Sequence, residues 1–239
     1  MDYIYNSQAY SHLTMYGGTS LRVCFNLNRM SEDIDFETTK PFDKMKFAQD
    51  IKQYFSKKIQ YRSLTTHVPG KGVSRVELRF PLLHELGLSA HDGENLIVKV
   101  EANTIDKNYP SDFKTITEGR FGFVVRHYIL PVLMAGKILA CLDRIWEKSG
   151  VKIKGRDYYD LIWYMQKGVI PDRDYLADKG YTREEAFKKL GKKIELIKPG
   201  DLLADLIPLF ENPDFPKNWS EVFKRQFVSL HAQYHWSRD

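Results

Sequence analysis

A chain of 239 residues with 43% hydrophobic and 28% charged residues has the composition of a globular protein, with room for one large domain or two modest ones. A transmembrane helix needs about 20 consecutive apolar residues, and no apolar run in this sequence approaches that length. The N-terminus lacks the features of a secretory signal. We therefore expect a cytoplasmic protein with no membrane partner. The net charge of +5 favours binding of nucleotides or nucleic acid without establishing either.

Two cysteines, Cys24 and Cys141, lie in apolar helical contexts and are expected to be buried as small hydrophobic side chains. Neither a disulfide framework nor a zinc site is indicated.

The first predicted unit is a short apolar strand over 13–16 that leads into Gly17 and Gly18, followed by a helix over 19–28. Glycine has no Cβ, so the backbone can turn sharply and approach a ligand closely. The free N–H groups and the dipole at the start of the helix favour an anion such as phosphate. The hydroxyls of Thr19 and Ser20 are both available there, and the sequence leaves open which of them contacts phosphate.

A second strand carries Asp33 and Asp35, one residue apart. Strand side chains alternate between faces, so the two carboxylates share one face and Ile34 and Phe36 share the other. Like charges this close are costly unless a cation lies between them. Oxygen ligands of this kind suit Mg²⁺, which uses one or two carboxylates and completes its shell with water and substrate phosphates.

Next, the pattern predicts a helix over 44–55 and strands over 60–66, 74–81 and 95–103. In the last of these, Lys99 and Glu101 share the face opposite the apolar residues. The polar stretch over 108–121, interrupted by Pro110 and Gly119, predicts a loop or linker.

The second half is predicted to be helical, over 129–148, from 156 onward, and over 171–179, 183–197, 201–210 and 219–236. Lys137 lies inside an apolar segment, so we expect it to be partly buried and to need a partner. Asp157 and Asp160 are three residues apart and share one face of their helix.

The stretches GGTSLRV and NRMSEDIDF together resemble the AbiEii/AbiGii-type nucleotidyltransferase toxins, relatives of the MenT toxins in the DNA polymerase β-like superfamily. The resemblance spans about residues 15–164. It implies an α/β (α+β) fold, with a polymerase β-like nucleotidyltransferase core and mixed sheet over 1–125. A C-terminal helical bundle over 126–239 is expected to complete the active-site cleft.

The resemblance also implies roles for individual residues. Gly17 and Gly18 match the glycine motif, although the superfamily often has Gly-Ser there, and Asp33 and Asp35 match the metal-binding pair. Glu101 matches the third carboxylate of the metal site, with a surface Lys/Glu strand as the alternative. Lys137 and Arg144 match a third motif. The remaining residues expected to bind the nucleotide are Thr19, Ser20, Arg22, Arg29, Ser31 and Lys99.

The fourth motif of the family matches the stretch around Asp157 and Asp160, one of which is expected to act in catalysis. The sequence favours Asp157 slightly and does not decide between them. Lys137, assisted by Arg22 or Arg29, would bind the triphosphate.

The function implied is that of a Mg²⁺-dependent toxin of a toxin–antitoxin or phage-defence pair, which transfers NMP from an NTP to an acceptor. The expected acceptor is the 3′ end of tRNA, and the expected protein partner is a cognate antitoxin. Two alternatives remain: transfer to a small molecule such as an aminoglycoside, and a nucleotide-binding regulator without turnover.

Overall fold

The computed structural model describes residues 1–70, 74–143 and 153–234, and the chain divides into two compact units. The first unit consists of Met1–Asn26 and Ser31–His127. The second consists of Leu27–Met30 and Tyr128–Asp239. The expected order, a mixed sheet followed by helices, is confirmed.

The first unit is built on a sheet that has seven strands among the described residues, in the order β3-β4-β5-β2-β1-β7-β6. Strand β2 runs antiparallel to β1 and parallel to β5, so the sheet is mixed. The elements are α1 (Asp2–Tyr5), β1 (Thr14–Tyr16), α2 (Gly17–Phe25), β2 (Asp33–Thr38), α3 (Lys44–Tyr54), β3 (Thr65–His67), β4 (Arg75–Phe80), β5 (Leu96–Thr104), β6 (Ser111–Glu118) and β7 (Phe121–Tyr128). A π-helical turn, Phe55–Ile59, follows α3.

One face of this sheet is apolar and holds the core. Phe36, Val76 and Val100 come from three strands and are essentially inaccessible to solvent, and Phe47 and Ile51 of α3 belong to the same cluster. The alternation of side chains sends the other residues of β2, β4 and β5 to the opposite face, which is polar. The separation into a polar and an apolar face that was predicted for β2 therefore also holds for β4 and β5.

The loop or linker predicted over 108–121 is wrong, because this segment contains all of β6 and the turn that leads into β7. Strand β6 is the edge of the sheet, and most of its residues are partly or fully exposed. An edge strand with polar residues on both faces lacks the apolar alternation by which a strand is recognised. Helix α2 also differs from its prediction, since it begins at Gly17 and gives way at Asn26 to the left-handed conformation.

The second unit is helical. Its elements are α4 (Leu130–Asp143), α5 (Gly155–Gln166), α6 (Arg173–Asp178), α7 (Arg183–Leu196), α8 (Pro199–Leu206), a 3₁₀ turn (Ile207–Leu209) and α9 (Asp214–Gln233). Tyr158 and Tyr164 of α5 are among its most deeply buried side chains, as are Phe187 of α7 and Phe223 of α9. Helix α5 therefore forms the centre of this unit.

The two cysteines are free and buried, as expected, with Cys24 in the first unit and Cys141 in the second. None of the described helices combines the length and apolar character that a membrane crossing requires.

Gly155, the first residue of α5, allows this helix to pack directly on the backbone of α8. A Cβ at this position would lie 2.2 Å from the carbonyl oxygen of Leu202. We expect Gly155→Ala to destabilise the protein by on the order of 3 kcal/mol, because the obstructing atom belongs to the backbone and cannot rotate away. Denaturant unfolding measures this loss. The matched control is Gly191→Ala in α7, where a Cβ meets nothing within 4 Å and the helix should gain about 0.5–1 kcal/mol. Equal stability of the two variants would contradict the packing described.

Candidate active site

The predicted carboxylates of β2 and β5 lie side by side on the polar face of the sheet. In the parallel pairing, Asp33 is opposite Lys99 and Asp35 is opposite Glu101. Residues opposite each other in a ladder project to the same face, as do residues two apart on one strand. The first unit therefore brings together Asp33, Asp35, Glu101 and Lys99 as one group.

The glycine turn lies against one of these carboxylates. Gly17 has a φ of +73°, and a Cβ added to it would lie 2.6 Å from Oδ2 of Asp35. Both the backbone conformation and the close approach therefore require glycine here. The start of α2 and the carboxylate of Asp35 meet directly within the first unit.

Gly17→Ala tests this approach. The variant should reduce nucleotidyl transfer by about 10²-fold, because Asp35 must move away from the added methyl group. Its matched control is Gly87→Ala, where φ is +69° and a Cβ meets nothing within 4 Å. Both variants carry a backbone cost of about 1–2 kcal/mol, so their unfolding free energies should fall alike. An equal loss of activity in the two variants would show that strain, and not the displaced carboxylate, is responsible.

The site suits a hard cation in two respects. Oδ1 of Asp33 is buried and accepts no hydrogen bond from a described residue, while Nζ of Lys99 lies 3.4 Å away from it. Around Asp35, the absence of a Cβ at Gly17 leaves space beside Oδ2. Within the described residues, however, no three His, Cys, Asp or Glu side chains form a group that could hold a metal ion on their own. This is compatible with Mg²⁺, which needs only one or two carboxylates beside water and phosphate oxygens.

The hydroxyls near the glycine turn differ in their surroundings. Oγ1 of Thr19 lies 2.9 Å from Oγ of Ser31 and donates to the backbone oxygen of Asp33, so it ties the first turn of α2 to the start of β2. Ser20 is fully buried and faces the interior. Gly18 is partly exposed, and Arg22 is exposed on α2. Of the two hydroxyls that the sequence left open, Thr19 is therefore the accessible one.

Two residues that the sequence analysis did not select complete this group. Tyr16 is opposite Asp35 on β1, and its hydroxyl accepts a hydrogen bond from Nδ2 of Asn103 at 3.1 Å. The same amide lies 3.3 Å from Oε1 of Glu101. Burial raises the pKa of Tyr16, and the negative charge of Asp35 adds to this effect. The alternation of β5, which puts Asn103 on the face of Glu101, is the sequence signal that could have identified Asn103.

The second unit contains a buried network of four charged side chains. Asp160 accepts two hydrogen bonds from Arg29, from Nε at 2.7 Å and from a terminal nitrogen at 2.6 Å. Nζ of Lys137 lies 2.9 Å from Oδ2 of Asp160, the oxygen that also accepts from the terminal nitrogen of Arg29. The same Nζ lies 2.7 Å from Oδ1 of Asp157. Two cations and two carboxylates therefore balance one another.

Burial within this network is nearly complete, with side-chain exposures of 1% for Arg29, 0% for Asp160, 3% for Asp157 and 12% for Lys137. Burial opposes the charged form of Lys137, but the carboxylates of Asp157 and Asp160 outweigh it and raise the pKa of the ammonium. Arg29 was expected to assist in binding the triphosphate. Its guanidinium is instead committed to Asp160 in the interior.

The segment that carries Arg29 is anchored in the second unit by further contacts. The backbone N–H of Met30 donates to the carbonyl of Leu209 at 2.8 Å, and the hydroxyl of Tyr159 donates to Oδ1 of Asn28. No sequence pattern indicates these contacts, which join residues more than a hundred positions apart. Arg144, the other expected nucleotide ligand, lies outside the described residues.

Comparison with known proteins agrees with this description. The family model described as "Nucleotidyl transferase AbiEii toxin, Type IV TA system" matches residues 1–234. A crystal structure described as "putative nucleotidyltransferase from H. pylori" is similar with a TM-score of 0.55 and 17% identity, over 97% of this chain and 91% of that chain. JHP933 from Helicobacter pylori is similar with a TM-score of 0.52 and 19% identity, over 98% of this chain and 91% of that chain. At these identities the two structures show the fold alone. No curated protein sequence matches this chain.

Proposed function

This chain belongs to the AbiEii nucleotidyl transferase toxin family of type IV toxin–antitoxin systems, and we propose that it transfers NMP from an NTP to the 3′ end of tRNA in a Mg²⁺-dependent reaction. The observation that carries this proposal is the meeting of Asp35 with the Gly17 turn, beside Asp33 and Glu101 on one face of the sheet. Carboxylates for a cation and a helix start for phosphate are the parts that nucleotidyl transfer requires.

We assign Asp33 and Asp35 as the residues that would hold Mg²⁺, and we propose that Glu101, opposite Asp35 on the neighbouring strand, would join them as the third carboxylate when the ion and substrate are bound. When bound, Mg²⁺ would activate the acceptor hydroxyl and stabilise charge on the α-phosphate and the pyrophosphate leaving group. The N–H groups at the start of α2 would bind phosphate oxygens of the NTP, whereas the single proton of the Thr19 hydroxyl is donated to the backbone oxygen of Asp33. Asn103, which contacts Glu101, would orient that carboxylate.

Lys137 is proposed to bind the triphosphate. An ammonium has three N–H donors, and among the described residues its contacts with Asp157 and Asp160 use two of them, so the third would donate to a phosphate oxygen. The two carboxylates hold the ammonium charged and in one position. Arg22, exposed on α2, is the arginine that we propose as its assistant, since Arg29 is committed to Asp160.

Of the two aspartates of α5, we assign Asp157 a role in activating the acceptor. We assign Asp160 a structural role. Both oxygens of Asp160 are engaged by Arg29, and one of them also by Lys137, which leaves it no role as a base. Asp157 would orient or deprotonate the acceptor hydroxyl. A cognate antitoxin is the protein partner that the type IV family implies.

Incubation with total tRNA, Mg²⁺ and each α-labelled NTP in turn tests this function. We expect label on tRNA from at least one NTP, and its removal by 3′-terminal digestion. A parallel incubation replaces tRNA with aminoglycosides. Label transferred to an aminoglycoside alone would contradict the tRNA acceptor. Absence of label with every acceptor, with NTP binding retained, would instead favour a regulator without turnover.

A further inference from the structure

We propose that the polar face of the sheet carries a second anion site, formed by Arg75 and Arg79 of β4 and completed by Lys99 of β5, which binds a phosphate group of the acceptor. This inference rests on the proposed function, because the acceptor is that of the transfer reaction. It adds residues of β4, which neither the sequence motifs nor the family assignment includes.

The register of the strands puts these cations beside the carboxylates. Arg75 is opposite Glu101, and Glu77 is opposite Lys99, which is itself opposite Asp33. Arg79 lies two residues beyond Glu77 and therefore projects to the same face. The two arginines therefore lie on the same face as the predicted metal ligands, on the strand next to β5.

The charges of the group do not balance among themselves. A terminal nitrogen of Arg75 lies 3.3 Å from one oxygen of Glu77, and a terminal nitrogen of Arg79 lies 2.9 Å from the other. The hydrogen bond from Arg79 lowers the pKa of Glu77, so this carboxylate is ionised at neutral pH. Two guanidinium groups share the carboxylate of Glu77, so one positive charge is in excess on β4 itself, next to the carboxylate of Glu101 that lies opposite Arg75.

Both guanidinium groups also have an unused donor. Nε of Arg75 and Nε of Arg79 are buried, and neither donates to a described residue. A buried N–H without an acceptor costs free energy, and a phosphate supplies several acceptor oxygens in the geometry that guanidinium favours. A phosphate group bound over β4 would supply acceptor oxygens to these guanidinium groups.

The order of the strands distinguishes the acceptor from the NTP. Along the sheet the order is β4-β5-β2-β1, and α2 follows β1 directly. The proposed site for the NTP phosphates, at the start of α2, is therefore on one side of the carboxylates, and the arginines are on the other. In an in-line transfer the acceptor and the leaving group occupy opposite sides of the reacting phosphate. The arginines are thus on the acceptor side.

The test measures binding of a fluorescein-labelled single-stranded RNA 12-mer and of a fluorescent NTP analogue to Arg75→Gln/Arg79→Gln. We expect RNA affinity to fall on the order of tenfold, with a shallower dependence on salt, because two cationic contacts with a phosphate group are lost. NTP affinity should remain within about twofold. The matched control is Lys52→Gln/Lys57→Gln, which removes the same charge from exposed positions in the same unit and should bind RNA as the wild type does.

Three results would overturn the proposal: RNA affinity unchanged by the arginine substitutions, an equal loss in the lysine control, or a loss of NTP affinity without a loss of RNA affinity. The last would assign the arginines to the triphosphate. These binding measurements require no turnover, so they are independent of the labelling experiment. Label transfer by the wild type combined with unchanged RNA binding would refute the anion site and leave the proposed function intact.

Discussion

Replacement of Asp35 by asparagine is expected to reduce nucleotidyl transfer by about 10³-fold or more, the largest effect on activity of any single substitution in the first unit. The amide keeps the shape of the side chain but loses the charge that a divalent cation requires, which is worth several kcal/mol of transition-state stabilisation. The folded state should be as stable as the wild type or more so, because the substitution relieves repulsion with Asp33 and Glu101. Activity from labelled NTP and the unfolding midpoint are measured on the same preparation.

Glu37→Gln is the matched control for this substitution. Glu37 lies on the same strand and face as Asp35, one alternation further along, and is not among the proposed ligands. Its amide variant should keep activity close to that of the wild type. Comparable losses in the two variants would indicate a general effect of charge on this face and would count against a metal held by Asp35.

Asp160→Asn should cause a large loss of stability, about 3–5 kcal/mol, because it leaves Arg29 buried without its bidentate partner. The raised pKa of Lys137 means that the stabilisation from its ion pairs is fully present below its ordinary value of 10.5 and is lost only as the pH rises through the higher folded-state value. Unfolding at pH 7 therefore measures the fully charged network.

Asp157→Asn distinguishes the roles of the two aspartates. It removes one contact of Lys137 and none of the contacts of Arg29 with Asp160, so its loss of stability should be clearly smaller, while its loss of activity should be complete. If Asp157→Asn proved the more destabilising, or if Asp160→Asn stayed as stable as the wild type, the division of roles on α5 would be wrong.

The sequence predicted those parts of the fold that follow from local alternation and from glycine. The common face of Asp33 and Asp35 follows from the two-residue period of a strand, and the glycine pair lies at the start of α2. The hairpin of β6 and β7 was missed because an exposed edge strand lacks an apolar face. The start of α2 was set two residues late because glycine is a poor helix former, whereas here Gly17 is the first helical residue.

The site was less predictable wherever it depends on pairing between distant residues. Arg29 is an unremarkable arginine in a connecting segment, and only the folded chain reveals Asp160 as its partner. Register between strands has no local signal either, so the positions of Arg75 beside Glu101 and of Tyr16 beside Asp35 could not be derived. By contrast, the need of Lys137 for a partner was correctly expected from its apolar surroundings.

The measurement that bears most directly on a cation held between β2 and β5 is the anomalous scattering of Mn²⁺ in crystals grown with a non-hydrolysable NTP. We predict an anomalous peak within coordination distance of the carboxylates of Asp33 and Asp35, with nucleotide phosphates at the start of α2 beside Gly17. A manganese peak remote from both carboxylates, or phosphates bound away from this turn, would contradict the account.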